Sequence, residues 1–191
     1  MDDMDILRER GILRELYPEI DDHFFDWLCG NGYFTAPAST KYHGNHEGGL
    51  FEHSIAVAKT LVELTKNNQL QWERDSSPVI IGLFHDICKI DQYKSQMSVL
   101  QAIDGTIINT VLPGKYEYRD DMLLKGHGDK SVMILASHIQ LTEEEVMCIR
   151  YHMGAFTEKS EWNDYTRAVR KFPNVLWTHQ ADMIAAHIMG T

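Results

Sequence analysis

The sequence predicts an all-α helical bundle with a small β-hairpin inserted near residues 106–118. Three observations carry this prediction: apolar residues recur at helical spacing along most of the chain, capping residues precede these segments, and one segment has the composition of strands. The chain has 191 residues, 43% hydrophobic and 24% charged. It is long enough to bury one core, so we expect a single domain over residues 1–191.

The predicted helices follow the apolar spacing along the chain. They cover residues 4–16, 20–29, 49–66, 79–87, 129–139, 143–153 and 173–188, with loop composition over 34–49. Ser77 before Pro78 is a favourable helix start, because serine can cap and proline suits the first helical position. Thr142 and Glu145 have the spacing of a capping box. We expect the N-terminal helices, within 1–33, to pack on a core spanning about 42–188.

The segment 106–118 has the composition of two short strands. Residues 106–111 and 115–118 are rich in Ile, Thr, Val and Tyr, and Leu112, Pro113 and Gly114 separate them. Pro-Gly is a common turn dipeptide, so this pattern predicts a hairpin that turns at Pro113 and Gly114.

Charge and cysteine content limit the possible partners. A net charge of −10 repels long nucleic acids and anionic membranes. The sequence has no apolar run of roughly 18 residues that could span a bilayer and no signal-peptide pattern at its start. The three cysteines, Cys29, Cys88 and Cys148, are odd in number and far apart, which favours reduced thiols in a cytoplasmic protein.

Adjacent His85 and Asp86 stand near the end of an apolar predicted helix. A buried carboxylate is unfavourable unless it is paired or bound to a metal. A core histidine bound to backbone, with Asp86 capping a turn, is the alternative interpretation. Other helices carry histidine and aspartate as well: His53, His127, His152 and Asp182. Imidazole and carboxylate together suit divalent transition metals, and helices of a bundle can bring such ligands together.

The order of these residues resembles the HD superfamily of metal-dependent hydrolases. His53, the pair His85-Asp86, and Asp182 match the H…HD…D signature of that family. The local sequences Gly-Gly-Leu-x-x-His-Ser and Leu-Phe-His-Asp-Ile-x-Lys-Ile are also similar to those of the family. The resemblance covers about residues 42–186 and implies an HD-domain helical bundle.

The resemblance also implies a set of metal ligands. Members with one metal use the four signature residues, and members with two metals add two histidines between the HD pair and the final aspartate. The ligands expected here are His53, His85, Asp86, His127, His152 and Asp182. Asp86 is expected to bridge two ions, with His127 and His152 completing the second site. We expect one or two divalent ions among Mn, Fe, Ni, Co and Zn, able to activate a water for displacement at phosphorus.

Other residues are candidates for contact with substrate. Lys89 matches a lysine that many HD enzymes carry after the HD pair, where it contacts phosphate or carboxylate. Lys130 could hold an anion at a helix N-terminus, or it could be a solvated lysine. His43 and His46 could line the pocket mouth, or they could be loop residues without a role. Cys88 departs from the usual glycine of the family, and we expect it to pack as a small apolar residue.

Two histidines near Asp182 are placed outside the predicted site. At about 100° per helical residue, His179 lies about 60° from Asp182 and could support it. By the same count His187 lies about 140° away, so we expect it to face elsewhere.

The function that the resemblance implies is hydrolysis of a phosphomonoester or phosphodiester. A nucleotide or short oligonucleotide is the expected substrate, with Asp86 and Lys89 as catalytic residues and Lys130 helping to neutralise the phosphate. Two alternatives remain open: an HD-type di-iron oxygenase, which uses the same ligand set, and a non-catalytic nucleotide sensor. The expected partner is a small phosphorylated molecule, with no long nucleic acid and no membrane; the oligomeric state is not predicted.

Overall fold

The structure is a computed structural model that describes residues 3–101, 107–124 and 126–191. These residues form eight α-helices and two strands. The helices are α1 Asp3–Leu16, α2 Asp22–Gly30, α3 Gly49–Asn68, α4 Ser77–Phe84, α5 Gly128–Ala136, α6 Glu143–Arg150, α7 Trp162–Lys171 and α8 Asn174–Ile184. The strands are β1 Tyr93–Gln101 and β2 Ile107–Tyr118. The predicted helical bundle with a hairpin is confirmed at this level.

The core lies where α3 and α4 pack together and against α8. Helix α4 is apolar apart from Ser77, and all of its residues except Val79 are buried, which explains its central position. Gly82 of α4 lies against the backbone of Ala58 in α3, where any larger side chain would overlap it. From α2, Phe24 contacts the ring of Phe84 at 5.2 Å between centroids, and so joins the N-terminal part of the chain to α4.

Helix α6 is attached to the start of α4 through the buried carboxylate of Glu145. The predicted capping box of Thr142 and Glu145 is present. Glu145 also accepts hydrogen bonds from Arg74 and from the hydroxyl of Ser77. The prediction that Ser77 caps its own helix is therefore wrong: Ser77 is already helical, and its hydroxyl donates to Glu145 instead.

The hairpin lies in a different place from the prediction. Strand β1 precedes the predicted segment, and β2 runs without interruption through Pro113 and Gly114. The two strands pair antiparallel, from Tyr93 opposite Tyr118 to Gln101 opposite Ile107. Pro113 and Gly114 instead lie in a bulge of β2. Ser95 of β1 pairs with Tyr116 and Met97 pairs with Val111, so the β2 residues between Val111 and Tyr116 lie opposite a single residue of β1. Residues 102–106, which link the strands, lie outside the described residues.

The C-terminal third contains a helix that the apolar spacing did not predict. Helix α7 fully buries only Ala168, and Tyr165 and Val169 pack partly buried against the core. Its apolar stripe is short and stands among many polar residues, and the spacing argument missed it. Helix α8 gives way at its end to a π-helical turn, Ala185–Met189. Within the described residues, no helix combines the length and the apolar character needed to cross a membrane.

Candidate metal centre

His53 reaches the centre from the second turn of α3. The helix begins after Gly48, whose φ of 86° is in the left-handed region that favours glycine. The side chain of His53 is fully buried. Its Nδ1 lies 2.9 Å from the carbonyl oxygen of Thr191. Because a carbonyl oxygen can only accept a hydrogen bond, Nδ1 is the donor in this contact, and Nε2 faces the centre.

His85 and Asp86 lie at the junction between α4 and a 3₁₀ turn, Ile87–Asp91. His85 is the last residue with helical backbone angles, and Asp86 leaves the helix with φ −106° and ψ 16°. Both are buried, with 0% and 2% of their surface exposed. His85 Nδ1 donates to the carbonyl of Gly82 at 3.0 Å, so its Nε2 also faces the centre unprotonated.

His127 and His152 are brought together by the contact of α5 with α6. His127 immediately precedes α5, and His152 lies two residues after the last residue of α6. Gly128 lies directly against the backbone of Arg150, where a side chain would not fit. The two imidazole rings are 5.0 Å apart between centroids. His152 Nδ1 donates to the carbonyl of Ile149 at 2.7 Å, which again leaves Nε2 for the centre.

The carboxylate of Asp86 lies between two pairs of histidines. Its Oδ2 is 3.8 Å from His53 Nε2 and 3.5 Å from His85 Nε2. Its Oδ1 is 2.7 Å from His127 Nε2 and 3.4 Å from His152 Nε2. The opposite oxygens of one carboxylate therefore face different pairs of imidazoles.

Asp182, on α8, closes the side of the centre that faces His53 and His85. Its Oδ1 lies 3.1 Å from His53 Nε2 and 3.9 Å from His85 Nε2. The structure thus brings together all six residues that the sequence predicts as metal ligands. Candidate ligand atoms lie within 4.8 Å of one another in each of three groups: His53, His85 and Asp86; His85, His152 and Asp182; and Asp86, His127 and His152.

The hydrogen bonding of the centre fits a divalent metal. Within the described residues, the Nε2 atoms of His53, His85 and His152 have no hydrogen-bond partner, although all three are buried. Buried polar atoms without partners are uncommon and unfavourable. Nitrogen and oxygen donors that converge in this way could hold a divalent transition metal ion. Backbone carbonyls that hold the opposite ring nitrogen are the usual outer partners of metal-binding histidines.

The pKa values of the acidic residues also suit metal binding. Burial alone would raise the pKa of Asp86, but Lys89, His127 and His85 together hold it well below 3.8. The pKa of Asp182 is lowered as well, because the neighbouring His53 and His85 outweigh its burial. Both residues are therefore carboxylates at neutral pH, as metal ligands must be.

The histidines differ in protonation. Burial lowers the pKa of His85 to about 3, so its imidazole is neutral. Burial also acts to lower the pKa of His127, but the adjacent Cys88 and Asp86 outweigh it and raise that pKa to about 10. Cys88 Sγ lies 3.6 Å from His127 Nδ1, so Cys88 contacts a candidate ligand in addition to packing. Binding a metal through His127 must release its proton.

Lys89 extends from the 3₁₀ turn to the carboxylate of Asp86. Its Nζ lies 2.6 Å from Asp86 Oδ2, and only 9% of the side chain is exposed. Burial alone would lower the pKa of Lys89, but the charge of Asp86 outweighs it and raises the pKa above 10.5. Lys89 is therefore a fixed positive charge beside the centre.

A cavity of about 410 Å³ opens onto this centre. Asp86, His127, Asp182 and Lys89 line its inner end. The walls carry aromatic, methionine and histidine side chains, among them Tyr42, His43, Tyr93, Tyr118, Met153, Phe156, His179 and His187. The cavity is large enough for a small organic phosphate.

Two of the four predicted substrate-binding residues do not line this cavity. Lys130 is buried, and its ammonium group pairs with the carboxylate of Asp91. His46 is half exposed and lies 3.3 Å from Glu52 on the surface. His43 does line the cavity, with its ring 4.9 Å from that of His53, and burial lowers its pKa to about 4.

His187 lines the cavity, although the helical spacing predicted that it would face away from Asp182. The estimate of 140° assumed an α-helix, but the chain from Ala185 to Met189 is a π-helical turn. A π-helix bonds residues five apart, so residues five apart lie close to one face. His187 follows Asp182 by five and lines the same cavity, with its ring 6.3 Å from that of His43. No local sequence signal for this turn was found.

His179 also differs from its prediction. Its Nδ1 donates to the carbonyl of His152 at 2.8 Å, so it supports the chain at His152 and not the carboxylate of Asp182. Gly154 lies against the ring of His179 with a φ of 56°, and a side chain there would overlap the ring.

No protein-family model, curated protein or solved structure matches this chain.

Proposed function

We propose that this protein is a metal-dependent phosphohydrolase of the HD superfamily, acting on a nucleotide or a short oligonucleotide. The observation that carries the proposal is the position of Asp86. One buried carboxylate faces two pairs of imidazoles through opposite oxygens, at the inner end of a cavity that also contains Lys89. This is the ligand arrangement expected for two metal ions that share a bridging carboxylate.

The proposal assigns the ligands to two positions. His53, His85 and Asp182 would hold one ion with Oδ2 of Asp86, since these atoms lie on that side of the carboxylate. His127 and His152 would hold a second ion with Oδ1. Such ions would supply an activated water and neutralise charge that develops on phosphorus. Nitrogen and carboxylate donors favour Mn, Fe, Ni, Co or Zn.

The other cavity residues would bind and orient the substrate. Lys89 provides a positive charge for a phosphate oxygen, close to the carboxylate that it already contacts. His43 is neutral at pH 7 because of its burial, so it can offer a hydrogen bond without adding charge. Apolar and aromatic walls would contact the remainder of the substrate and limit the access of water. Lys130 has no part in this proposal because it is paired with Asp91.

The proposal includes the cytoplasm as the cellular location. The three cysteines are free in the structure, as expected of a protein in a reducing compartment.

Metal content and hydrolysis, measured on the same samples, test the proposed function. The native protein is expected to contain bound transition metal and to hydrolyse at least one member of a panel of nucleotides, dinucleotides and bis(p-nitrophenyl) phosphate. His85→Ala is expected to lose both the metal and the activity, because its Nε2 faces the ligand cluster. His23→Ala, at an exposed histidine of α2, is the matched control and is expected to retain both.

Other outcomes would identify the alternatives. Hydrolysis that survives in His85→Ala would show that the site is wrongly assigned. A tightly bound iron pair with oxygen uptake, and no hydrolysis of any phosphate ester, would indicate the oxygenase. Nucleotide binding without turnover by the native protein would indicate a sensor.

A further inference from the structure

A second cavity, of about 630 Å³, adjoins the one above the metal centre. It lies between the loop containing Lys41 and the part of β2 that contains Lys115, and we call it the hairpin groove. Tyr118 lines both cavities, so the hairpin groove extends from the wall of the inner cavity towards the outside of the protein. A substrate longer than one nucleotide could occupy both spaces.

Each side of this passage presents one exposed aromatic ring and one lysine. On the loop side, Tyr42 lines the inner cavity and Lys41 lines the hairpin groove. On the hairpin side, Tyr118 lines both cavities and Lys115 lines only the hairpin groove. On both sides, therefore, the tyrosine ring lies nearer to the metal centre and the lysine lies farther out.

Neither ring belongs to the buried core, although the ring of Tyr118 packs edge-on against that of Tyr93 at 5.1 Å between centroids. Tyr42 is 80% exposed and Tyr118 is 57% exposed. Exposed aromatic side chains beside a binding site commonly stack on planar ligands, and nucleobases stack on such rings without regard to sequence. Their position next to the inner cavity is suitable for a base attached to a phosphate at the metal centre.

The lysines of the hairpin groove are available for an anion. Among residues 3–101, 107–124 and 126–191, no acidic side chain lies within ion-pair distance of Lys41 or Lys115. Glu117, which also lines the groove, is paired with Lys94 at 3.3 Å. The protein has a net charge of −10, and the charge of Glu47 acts on Tyr116 of the groove wall. Lys41 on the loop side and Lys115 on the hairpin side supply positive charge within this acidic surface. Ammonium groups in this position suit a phosphate.

We infer that the hairpin groove binds a second phosphate of the substrate, so that the protein acts on short oligonucleotides of two or a few residues in preference to mononucleotides. The inference rests on the proposed function, since it places the reacting phosphate at the metal centre. One base lies between Tyr42 and Tyr118, and the next phosphate lies between Lys41 and Lys115. The net negative charge outside this passage disfavours long nucleic acids.

Three probes of different length test the inference. The probes are AMP, the 5′-phosphorylated diadenylate pApA, and bis(p-nitrophenyl) phosphate, which has a cleavable diester but no second phosphate. Hydrolysis is followed by product formation, and binding is measured by calorimetry under the same conditions. The native protein is expected to bind pApA about tenfold more tightly than AMP, with a steeper dependence on salt.

The decisive variant is the double substitution Lys41→Ala with Lys115→Ala. It is expected to raise KM and Kd for pApA about tenfold and to weaken the salt dependence. Its kcat for pApA and its rate on bis(p-nitrophenyl) phosphate are expected to stay at the native values. The matched control replaces Lys59 and Lys66, which are exposed lysines of α3 away from the groove, and is expected to behave as the native protein.

The possible results separate this inference from the proposed function. Equal affinity for AMP and pApA, or equal effects of the double substitution on all three probes, would overturn the inference and leave the hydrolase proposal intact. Tight, lysine-dependent binding of pApA without any hydrolysis would support the groove and contradict the hydrolase.

Discussion

Three buried histidines of the metal centre share one arrangement. In His53, His85 and His152, Nδ1 faces a backbone carbonyl, and Nε2 faces the centre without a hydrogen-bond partner among the described residues. The carbonyl makes Nδ1 the hydrogen-bond donor in each ring, because a carbonyl oxygen can only accept a hydrogen bond. The three Nε2 atoms are therefore oriented as ligands of a metal ion would have to be, so that holding an ion would require little reordering of these side chains.

Glu9 is a single carboxyl group whose burial is expected to make the stability of the fold depend on pH. It lies on α1 with 5% of its surface exposed, and its Oε2 has no hydrogen bond within the described part of the chain. Burial, followed by the charge of Glu52, raises its pKa from 4.5 to about 7. The folded protein then holds a proton that the unfolded chain releases between these values. The resulting stabilisation is present below pH 4.5 and is lost as the pH rises through about 7.

We expect Glu9→Gln to remove this pH dependence. The amide stays neutral, so the free energy of unfolding of the variant should exceed that of the native protein by about 1–2 kcal/mol at pH 8, allowing for solvent screening, and by little at pH 5. Denaturant unfolding at both pH values measures the difference. Glu15→Gln, at an exposed position of the same helix, is the control. An equal effect of Glu9→Gln at both pH values would contradict the assigned pKa.

At the level of elements, the site depends on interruptions of helices. The 3₁₀ turn after α4 lets the neighbouring residues His85 and Asp86 face the same centre, and the π-helical turn after α8 brings His187 to the cavity. Ideal α-helices would separate adjacent residues by about 100°. The two breaks therefore decide which side chains the helices present to the cavity.

The close contact of α3 and α4 gives a prediction about both stability and metal binding. Gly82→Ala would place a methyl group against the backbone of Ala58. We expect it to lower the free energy of unfolding by about 1–3 kcal/mol. Since His53 and His85 lie on these two helices, separating the helices should also weaken metal affinity. Thermal unfolding and metal titration measure the two effects.

Gly11→Ala is the matched control for this substitution. Gly11 lies within α1, and no atom lies within 4 Å of the position that a Cβ would take. Alanine is a better helix former than glycine, so this variant is expected to be more stable by about 0.5–1 kcal/mol. If Gly82→Ala were as stable as the native protein, the close packing of α3 on α4 would be wrong.

At the level of the whole molecule, the metal centre joins distant parts of the chain. Its candidate ligands come from α3, the end of α4, the start of α5, the end of α6, and α8. A metal that binds these residues only in the folded protein must stabilise the whole bundle by mass action. A metal bound at this centre is thus expected to contribute to the stability of the fold.

Removal of metal is therefore expected to lower the melting temperature. At a free Mn²⁺ concentration of about 100 times its Kd, binding should add about 2.7 kcal/mol to the free energy of unfolding. Calorimetry in EDTA and in increasing Mn²⁺ measures the shift. Asp86→Asn is expected to respond much less, because its bridging carboxylate is lost, whereas His23→Ala should respond as the native protein does. A melting temperature that is independent of the metal would exclude a binding site in the cluster.

The sequence by itself determined the features that depend on neighbouring residues. The capping box of Thr142 and Glu145, the burial of the apolar helix α4, and most helix positions follow from local spacing and were predicted. The six candidate ligands could also be named from the chain, through their chemical types and through the resemblance of their order to the HD superfamily signature.

Only the tertiary structure decided which side chains meet. Lys130 pairs with Asp91, β1 pairs with β2, and His187 joins the cavity through a π-helical turn. Each of these outcomes depends either on residues distant in sequence or on a break in helical geometry. A contact between distant residues and a helix break both leave the spacing of apolar residues unchanged, so the spacing could not predict them. Local periodicity records which face of an element is buried, whereas the partner on the other side of that face is chosen by long-range packing.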